Sequence, residues 1–383
     1  MKYIKLGSLI RKVDGVKNKQ LKNLPLLGIS IDKEFMPSVA NIIGTDMSNY
    51  QIVKRGQFAC NPMHLGRDER MPTSLLQSQD EILVSPAYFV FEVVDESLII
   101  PEYLMLYFKR PETDRYLWFR TDSSVRGGLG WDEMCDICIP IPSLELQKQV
   151  VQQYAQISNA IAIKERLNNN LEQQAQALFK SWFIDFEPFG GVMPNDWKIY
   201  KLGDFLPVIT GKKNANVSSS EGKYPFFSCS QDIAWTDSYS FEGNAILVAG
   251  NGDFNIKFYN GKFEAYQRTY VLIPYNQRYT DWLYYAVKHN LSAITSNARG
   301  SVISFITKGN LENFEFAAPS NLENFNIVDV FLTINKYILQ NKRENEKLST
   351  LRGTLLPKLM KGEIDVSNVD ISDLTSADKL SFT

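Results

Sequence analysis

The chain of 383 residues has only two histidines, His64 and His289, and four cysteines, Cys60, Cys135, Cys138 and Cys229. Neither histidine neighbours a plausible nucleophile, which argues against a Ser/His or Cys/His hydrolase. Four cysteines are too few for a disulfide framework in a chain of this length. The close pair Cys135-x-x-Cys138 wants two further ligands at similar spacing before it suggests zinc. Its setting, Met134–Ile139, is a short apolar run that predicts a strand with small buried thiols. No apolar run reaches the ~18–20 residues that cross a bilayer, and the opening Met1-Lys2-Tyr3-Ile4-Lys5 has no signal-peptide core, so a cytoplasmic protein without membrane contact is expected.

Excess positive charge is also missing. The net charge is −2; residues 198–320 hold 12 Lys and Arg against 10 Asp and Glu, and residues 1–140 hold 17 against 18. Any contact with nucleic acid must rest on a local patch, because phosphate binding draws on clustered cations. No G-x4-G-K-[S/T] loop is present, which excludes a P-loop ATPase. The nearest approach to an adenine-flipping N-P-P-Y/F loop, Asn61-Pro62-Met63-His64, lacks the second proline and the stacking aromatic. Asp204 with Glu221-Gly222-Lys223 has the bare pattern of a metal nuclease, placed in a Ser-rich loop.

What the chain does have is a repeat. Residues 141–190 and 318–366 are related by a shift of 177 positions: Val150, Ile157, Ile161, Leu171 and Leu178 fall on Ile327, Ile334, Ile338, Leu348 and Leu355. Each copy follows a longer segment that opens with the same word, Lys5-Leu6-Gly7 and Lys201-Leu202-Gly203. Self-similarity of this kind governs the whole fold, and two copies suit a pseudo-symmetric object better than a solenoid.

The long segments alternate short β-branched and aromatic runs with Gly, Pro, Asn and Asp, as in Leu24–Ser30, Tyr50–Val53, Ser85–Val94, Tyr224–Ser230, Ala245–Ala249 and Tyr270–Pro274. One helix is predicted in each, Pro101–Arg110 and Thr280–Lys288. The repeated segments carry apolar residues at alternating 4-3 spacing, a coiled-coil seam about 50 Å long at ~1.5 Å per residue. The fold class is α+β: two mixed domains with curled, mainly antiparallel sheets, separated by two long antiparallel helices. The divisions are 1–140, a first globular domain; 141–190, a central helix; 191–317, a second globular domain; 318–366, a C-terminal helix; and 367–383, a disordered tail. Phe189-Gly190-Gly191 is read as a linker.

Polar residues interrupt both seams: Lys164 and Asn168 in the first, Asn341 and Asn345 in the second. Antiparallel partners whose numbers sum to about 509 place Lys164 against Asn345, Asn168 against Asn341 and Ile161 against Leu348, with Arg352 against Ile157 the one mismatch. Polar seam residues set register at a cost in stability. On the first helix, Leu146, Ile163, Leu167 and Phe179 stand off the seam, which predicts further helical partners.

Ile139-Pro140-Ile141-Pro142-Ser143-Leu144-Glu145-Leu146-Gln147 resembles the proline step and E-x-Q junction of type I restriction-modification specificity subunits. Leu355-Leu356-Pro357-Lys358-Leu359-Met360-Lys361-Gly362-Glu363-Ile364 is similar to their C-terminal ending. Ser85-Pro86-Ala87-Tyr88, Gly127-Gly128-Leu129-Gly130-Trp131 and Asn244–Val248 also fit, so the likeness covers nearly the whole chain. The second junction, Ala317-Ala318-Pro319-Ser320-Asn321, departs from the pattern by lacking the E-x-Q word. The resemblance implies a non-catalytic DNA-recognition subunit whose two domains each read half of a bipartite duplex site. It implies two methyltransferase subunits that modify adenine, and restriction subunits that complete the nuclease. S-adenosylmethionine, ATP and Mg²⁺ would then sit on those partners and no cofactor on this chain. A self-contained nuclease and a two-headed protein adaptor are the alternatives.

DNA-contacting residues are expected in loops, where glycine lets backbone approach phosphate and Arg, Asn or Gln can read base edges. The candidates are Lys54, Arg55, Asn61, Arg67, Arg70 and Arg126 in the first domain, and Lys212, Lys213, Asn214, Asn251, Arg268 and Arg299 in the second. Arg126-Gly127 and Arg299-Gly300 occupy matching places in the two copies.

Overall fold

The computed structural model describes residues 2–13, 16–19, 23–38, 45–63, 65–121, 128–219, 222–296 and 304–360. It divides into two compact units, Met1–Ala162 with Glu344–Thr383, and Ile163–Arg343. Two long helices, Leu144–Phe183 and Ile327–Met360, contribute one part of their length to each unit.

In the first unit, Lys2–Lys5 pairs antiparallel with Cys138–Ile141. A four-stranded sheet runs in the order Ile10–Lys12, Phe89–Val93, Phe58–Cys60, Thr73–Leu75, all antiparallel. Two further antiparallel ribbons, Leu27–Ile29 with Phe35–Pro37 and Gln51–Lys54 with Glu81–Val84, complete the β structure. Phe58 and Phe91 stack at 4.9 Å beneath Phe108, and Val150, Leu356, Leu359 and Met360 of the long helices join this core.

In the second unit the matching ribbon is Trp197–Lys201 with Glu315–Pro319. A six-stranded sheet follows the order Val208–Thr210, Thr269–Leu272, Phe241–Ala249, Ile256–Ala265, Tyr224–Phe227, Ala234–Thr236. All its pairings are antiparallel except that of Tyr224–Phe227 with Ile256–Ala265. The helix Thr280–His289 buries Trp282, Leu283 and Tyr285 in one core with Ile246, Val248 and Leu272 of that sheet.

The repeated Lys-Leu-Gly word has a physical cause. Leu6 and Leu202 are both fully buried. Their amides donate to equivalent carbonyls, Ile137 at 2.7 Å and Phe314 at 2.9 Å. A Cβ on Gly7 would lie 2.7 Å from Cys135 Cβ, and one on Gly203 3.2 Å from the Glu312 carbonyl oxygen. A side chain would thus force a shift at Gly7 and crowd Gly203, where a short helix, Trp131–Cys135 or Lys308–Glu312, closes over each ribbon.

Several expectations need correction. The helix predicted over Pro101–Arg110 stops at Phe108, and a second begins at Pro111 and runs to Phe119. Arg110 is extended, at φ −75° and ψ 134°, because a following proline disfavours helical geometry. The strand expected across Ser85–Val94 is confined to Phe89–Val93, since Tyr88 N donates to the Ser85 carbonyl at 3.1 Å and makes a turn. Met134 and Cys135 belong to a helix rather than a strand, and Cys138 is exposed rather than a buried small side chain. Acidic residues in that helix's first turn, Asp132 and Glu133, favour it.

Of the side chains expected to stand off the seam for other partners, Phe179 is fully buried and Leu146 packs on the first core. Ile163 and Leu167 do remain exposed, at 56% and 47%.

Within the first unit, the helix halves meet through Ile157, Ile161 and Leu348, and Asn345 Nδ2 donates to the Ile161 carbonyl at 3.3 Å. Arg352, expected opposite Ile157, instead lies 5.7 Å over the Tyr154 ring and donates to Ser158 Oγ at 3.3 Å. A long side chain can thus leave an apolar seam for an aromatic face. Within the second unit Asn341 meets Asn168, and Lys164 is half-buried.

The long helices are fastened differently at their starts. Gln147, fully buried, accepts from Ile100 N at 3.0 Å and donates to the carbonyls of Leu98 at 2.9 Å and Pro142 at 3.0 Å. The second helix lacks that glutamine. There Arg278 holds Asp329 through Nε and Nη2, both at 2.8 Å, and donates from Nη1 to the Glu323 carbonyl at 2.9 Å.

Candidate nucleic-acid interface

Four loop segments converge at one end of the six-stranded sheet. Gly211 N donates to the Thr269 carbonyl at 3.0 Å, Gln267 N to the Lys213 carbonyl at 3.0 Å, and Gly250 N to the Arg268 carbonyl at 2.9 Å. Ile306 N in turn donates to the Gly250 carbonyl at 3.0 Å, and Asn251 bridges Phe305. The backbones approach closely enough to demand glycine. A Cβ at Gly211 would lie 2.1 Å from the Ala265 carbonyl oxygen, and one at Gly250 2.4 Å from that of Arg268.

These contacts bring together five of the residues singled out in the second domain. Lys212, Asn214 and Arg268 are exposed, while Lys213 and Asn251 are half-buried. Arg299 lies outside the described residues.

A fifth segment, Ser228–Asp232, belongs to the same cluster and was not among the candidates. Asn255 Nδ2 donates to the Cys229 carbonyl at 2.8 Å, and Lys257 Nζ donates to the Ser230 carbonyl at 2.6 Å and to Asn255 Oδ1 at 2.5 Å. Burial holds the Lys257 ammonium below its ordinary pKa. A search confined to glycine-flanked loops misses Lys257, because it lies inside the strand Ile256–Ala265. Gln231, at the exposed turn, donates to Asp253 Oδ2 at 3.3 Å. The segments 211–214, 228–232, 250–257, 265–268 and 304–306 carry Lys212, Lys213, Lys257 and Arg268 against Asp232 and Asp253. The cluster is thus net cationic in a chain whose total charge is −2.

The first-domain candidates are arranged otherwise. Arg55 bonds Asp80 from Nε at 3.1 Å and Nη2 at 2.9 Å, and also reaches the Gln77 carbonyl. Arg67 pairs with Asp68 at 2.6 Å and Arg70 with Asp32 at 3.3 Å. Such exposed pairs contribute little to stability and open readily to a competing phosphate. Lys54 is exposed, and Asn61 is half-buried with its Oδ1 accepting from Met63 N at 3.1 Å. Arg126 lies outside the described residues. The geometry gathers five of the second-domain candidates but leaves Lys54, Arg55, Arg67 and Arg70 as surface cations outside any such loop cluster.

The metal-nuclease pattern is not assembled among the described residues. Asp204 Oδ2 accepts from Lys201 N at 2.8 Å and caps a turn, and Glu221 lies outside them. No group of three His, Cys, Asp or Glu side chains able to hold a metal occurs among the described residues, nor any helix long and apolar enough to cross a membrane.

Comparison with known proteins adds a family to this geometry. Residues 194–350, which contain the whole loop cluster, match the family described as type I restriction modification DNA specificity domain. The chain is 39% identical over 178 residues to the type I restriction enzyme EcoDI specificity subunit of Escherichia coli, covering 45% of this chain and 40% of that protein. It is 24% identical over 318 residues to the MjaIX specificity subunit of Methanocaldococcus jannaschii, covering 72% of each. Thus the chain spans well under two thirds of the length of its E. coli relative. In fold it is similar to a type I restriction-modification S subunit from M. genitalium, with TM-score 0.58, 15% identity and coverage of 94% of this chain and 95% of that one.

Proposed function

The chain belongs with the specificity subunits of type I restriction-modification systems, and from that premise we propose that it reads duplex DNA through two domains, each recognising one half of a bipartite site. The single observation that carries this is the net-cationic, glycine-packed loop cluster, which lies within the matched residues. The buried glycines hold the loops together, exposed Lys212 and Arg268 can meet phosphate, and Arg268, Asn214 and Gln231 supply the side chains that distinguish base edges.

In this reading residues 1–140 form one reader and residues 191–317 the other, and the two long helices set the distance between half-sites. The helices also dock two methyltransferase subunits, which modify adenine with S-adenosylmethionine. Restriction subunits, with ATP and Mg²⁺, join through that assembly in the cytoplasm. The chain itself contributes no catalytic group; its role is to choose where partners act. Exposed Ile163 and Leu167 on the first long helix suit an apolar partner surface.

Binding of duplex DNA measured at two salt concentrations tests the reading. Removing one phosphate-binding cation should reduce the slope of log K against log salt by about 0.9, so Arg268→Ala and Lys212→Ala are expected to flatten it. Salt-insensitive binding, unaltered by either change, would favour the two-headed protein adaptor instead.

A further inference from the structure

The second recognition domain is attached to both long helices by a polar cluster with a buried centre and a partly exposed ion pair at its rim. Tyr285 and Lys288 lie on the helix Thr280–His289, Glu172 on the first long helix, and Asn335 on the second. The Tyr285 hydroxyl faces Asn335 Oδ1 at 2.9 Å and Glu172 Oε2 at 3.3 Å. Lys288 Nζ donates to Glu172 Oε1 at 2.7 Å, and Asn335 Nδ2 donates to Asp281 Oδ1 at 2.8 Å. Tyr285 is fully buried, and Asp281 and Asn335 nearly so.

Around this cluster the attachment is apolar. Phe179 stacks on Phe183 at 4.9 Å and meets Phe331, which in turn lies 5.4 Å from Tyr285. Aromatic faces bind strongly but tolerate sliding, since their attraction is spread over many contacts and has weak directionality. Hydrogen bonds at the buried Tyr285, Asn335 and Asp281 do not tolerate it: a shift of about an ångström leaves their donors and acceptors unpaired. One domain helix is thus tied to two helices at once by directional bonds, which admits a single orientation.

We propose that Tyr285, Glu172, Asn335 and Lys288 form a positioning cluster that fixes the direction in which the second recognition domain leaves the helix pair, and so the spacer the protein accepts between its two half-sites. The proposal rests on the DNA-recognition reading above. Its residues touch no base; they act by holding the reader.

The test uses the full chain assembled with its modification subunits. The bipartite motif is first selected from a pool of random-sequence duplexes by the wild-type complex. Wild type, Tyr285→Phe, Glu172→Gln and Phe331→Leu are then compared on duplexes whose halves are intact and whose spacer is shortened or lengthened by one base pair. The polar variants are expected to keep both half-site sequences but to raise binding to altered spacers, relative to the native one, by roughly three- to tenfold. Phe331→Leu, which loosens the apolar packing but keeps all four polar side chains, should lower the melting temperature without widening the spacer profile. Spacer profiles of Tyr285→Phe and Glu172→Gln that superimpose on wild type overturn the inference alone, as does equal widening in Phe331→Leu. If the wild-type complex selects no bipartite motif, the DNA reading itself fails and the inference with it.

Discussion

Asn341 donates from Nδ2 to the Oδ1 of Asn168 at 2.8 Å, in the seam between the two long helices. Asn168 also donates to the Ile338 carbonyl at 3.3 Å, and Asn341 is only 8% exposed. Replacing either with leucine leaves an amide without its partner and is expected to cost about 1–2 kcal/mol, whereas the double replacement should cost less than the sum. A double-mutant cycle by urea denaturation measures the coupling; additive single effects would show that the pair contributes nothing as a pair.

The two helix starts should differ in sensitivity. Removing Gln147 strands a buried amide and two carbonyls, so Gln147→Ala is expected to destabilise by about 2–3 kcal/mol. Arg278 and Asp329 are 29% and 46% exposed, and water screens them, so Arg278→Ala should cost below about 1 kcal/mol. Denaturation midpoints of the two variants check the order. A reversal would mean that the arginine clamp, rather than the glutamine, is the stronger fastening.

Asp281 gives a pH signature. Burial raises its carboxyl pKa from the ordinary 3.8 to about 6, against an opposing bond from Asn335. The folded state therefore holds a proton on this group more tightly than the unfolded chain does. That contribution is complete below about pH 4 and is lost as pH rises through 6. An asparagine keeps the acceptor for Asn335 and carries no charge. Relative to wild type, Asp281→Asn should gain stability between about pH 4 and 6, by up to about 2–3 kcal/mol, and the difference should then level off. Unfolding free energies of both proteins across that range provide the check, and a pH-independent difference would contradict it.

If residues 1–140 and 191–317 each read one half-site, as proposed above, the two should be separable. Exchanging residues 1–140 for the equivalent segment of another specificity subunit is expected to change one half of the methylated motif and leave the other intact. Mapping of methylated adenines reads this directly. A swap that changes both halves would mean that the domains recognise DNA jointly.

Much of the architecture was legible in the residues. The 4-3 spacing of apolar side chains fixes a helix face whatever surrounds it, so the helices Leu144–Phe183 and Ile327–Met360 could be read locally. The Lys-Leu-Gly word marks each ribbon because leucine must be buried and glycine must admit a neighbouring backbone, demands that act over a few residues. The break at Pro111 has an equally local cause, yet the periodicity carried the first helix to Arg110 and did not show the second, Pro111–Phe119. What tertiary structure alone decided depends on distant chain segments meeting. Periodicity could not show that Lys257 fastens the Ser228–Asp232 loop, that Phe179 belongs to a core rather than a free face, or that Arg278 replaces a missing glutamine. Nor could it show that Lys212, Asn251 and Arg268, on three separate loops, would be gathered at one end of the sheet while Arg55, Arg67 and Arg70 would not. A residue's type and its near neighbours determine which partners it can accept; only the folded sheet determines which of them arrives.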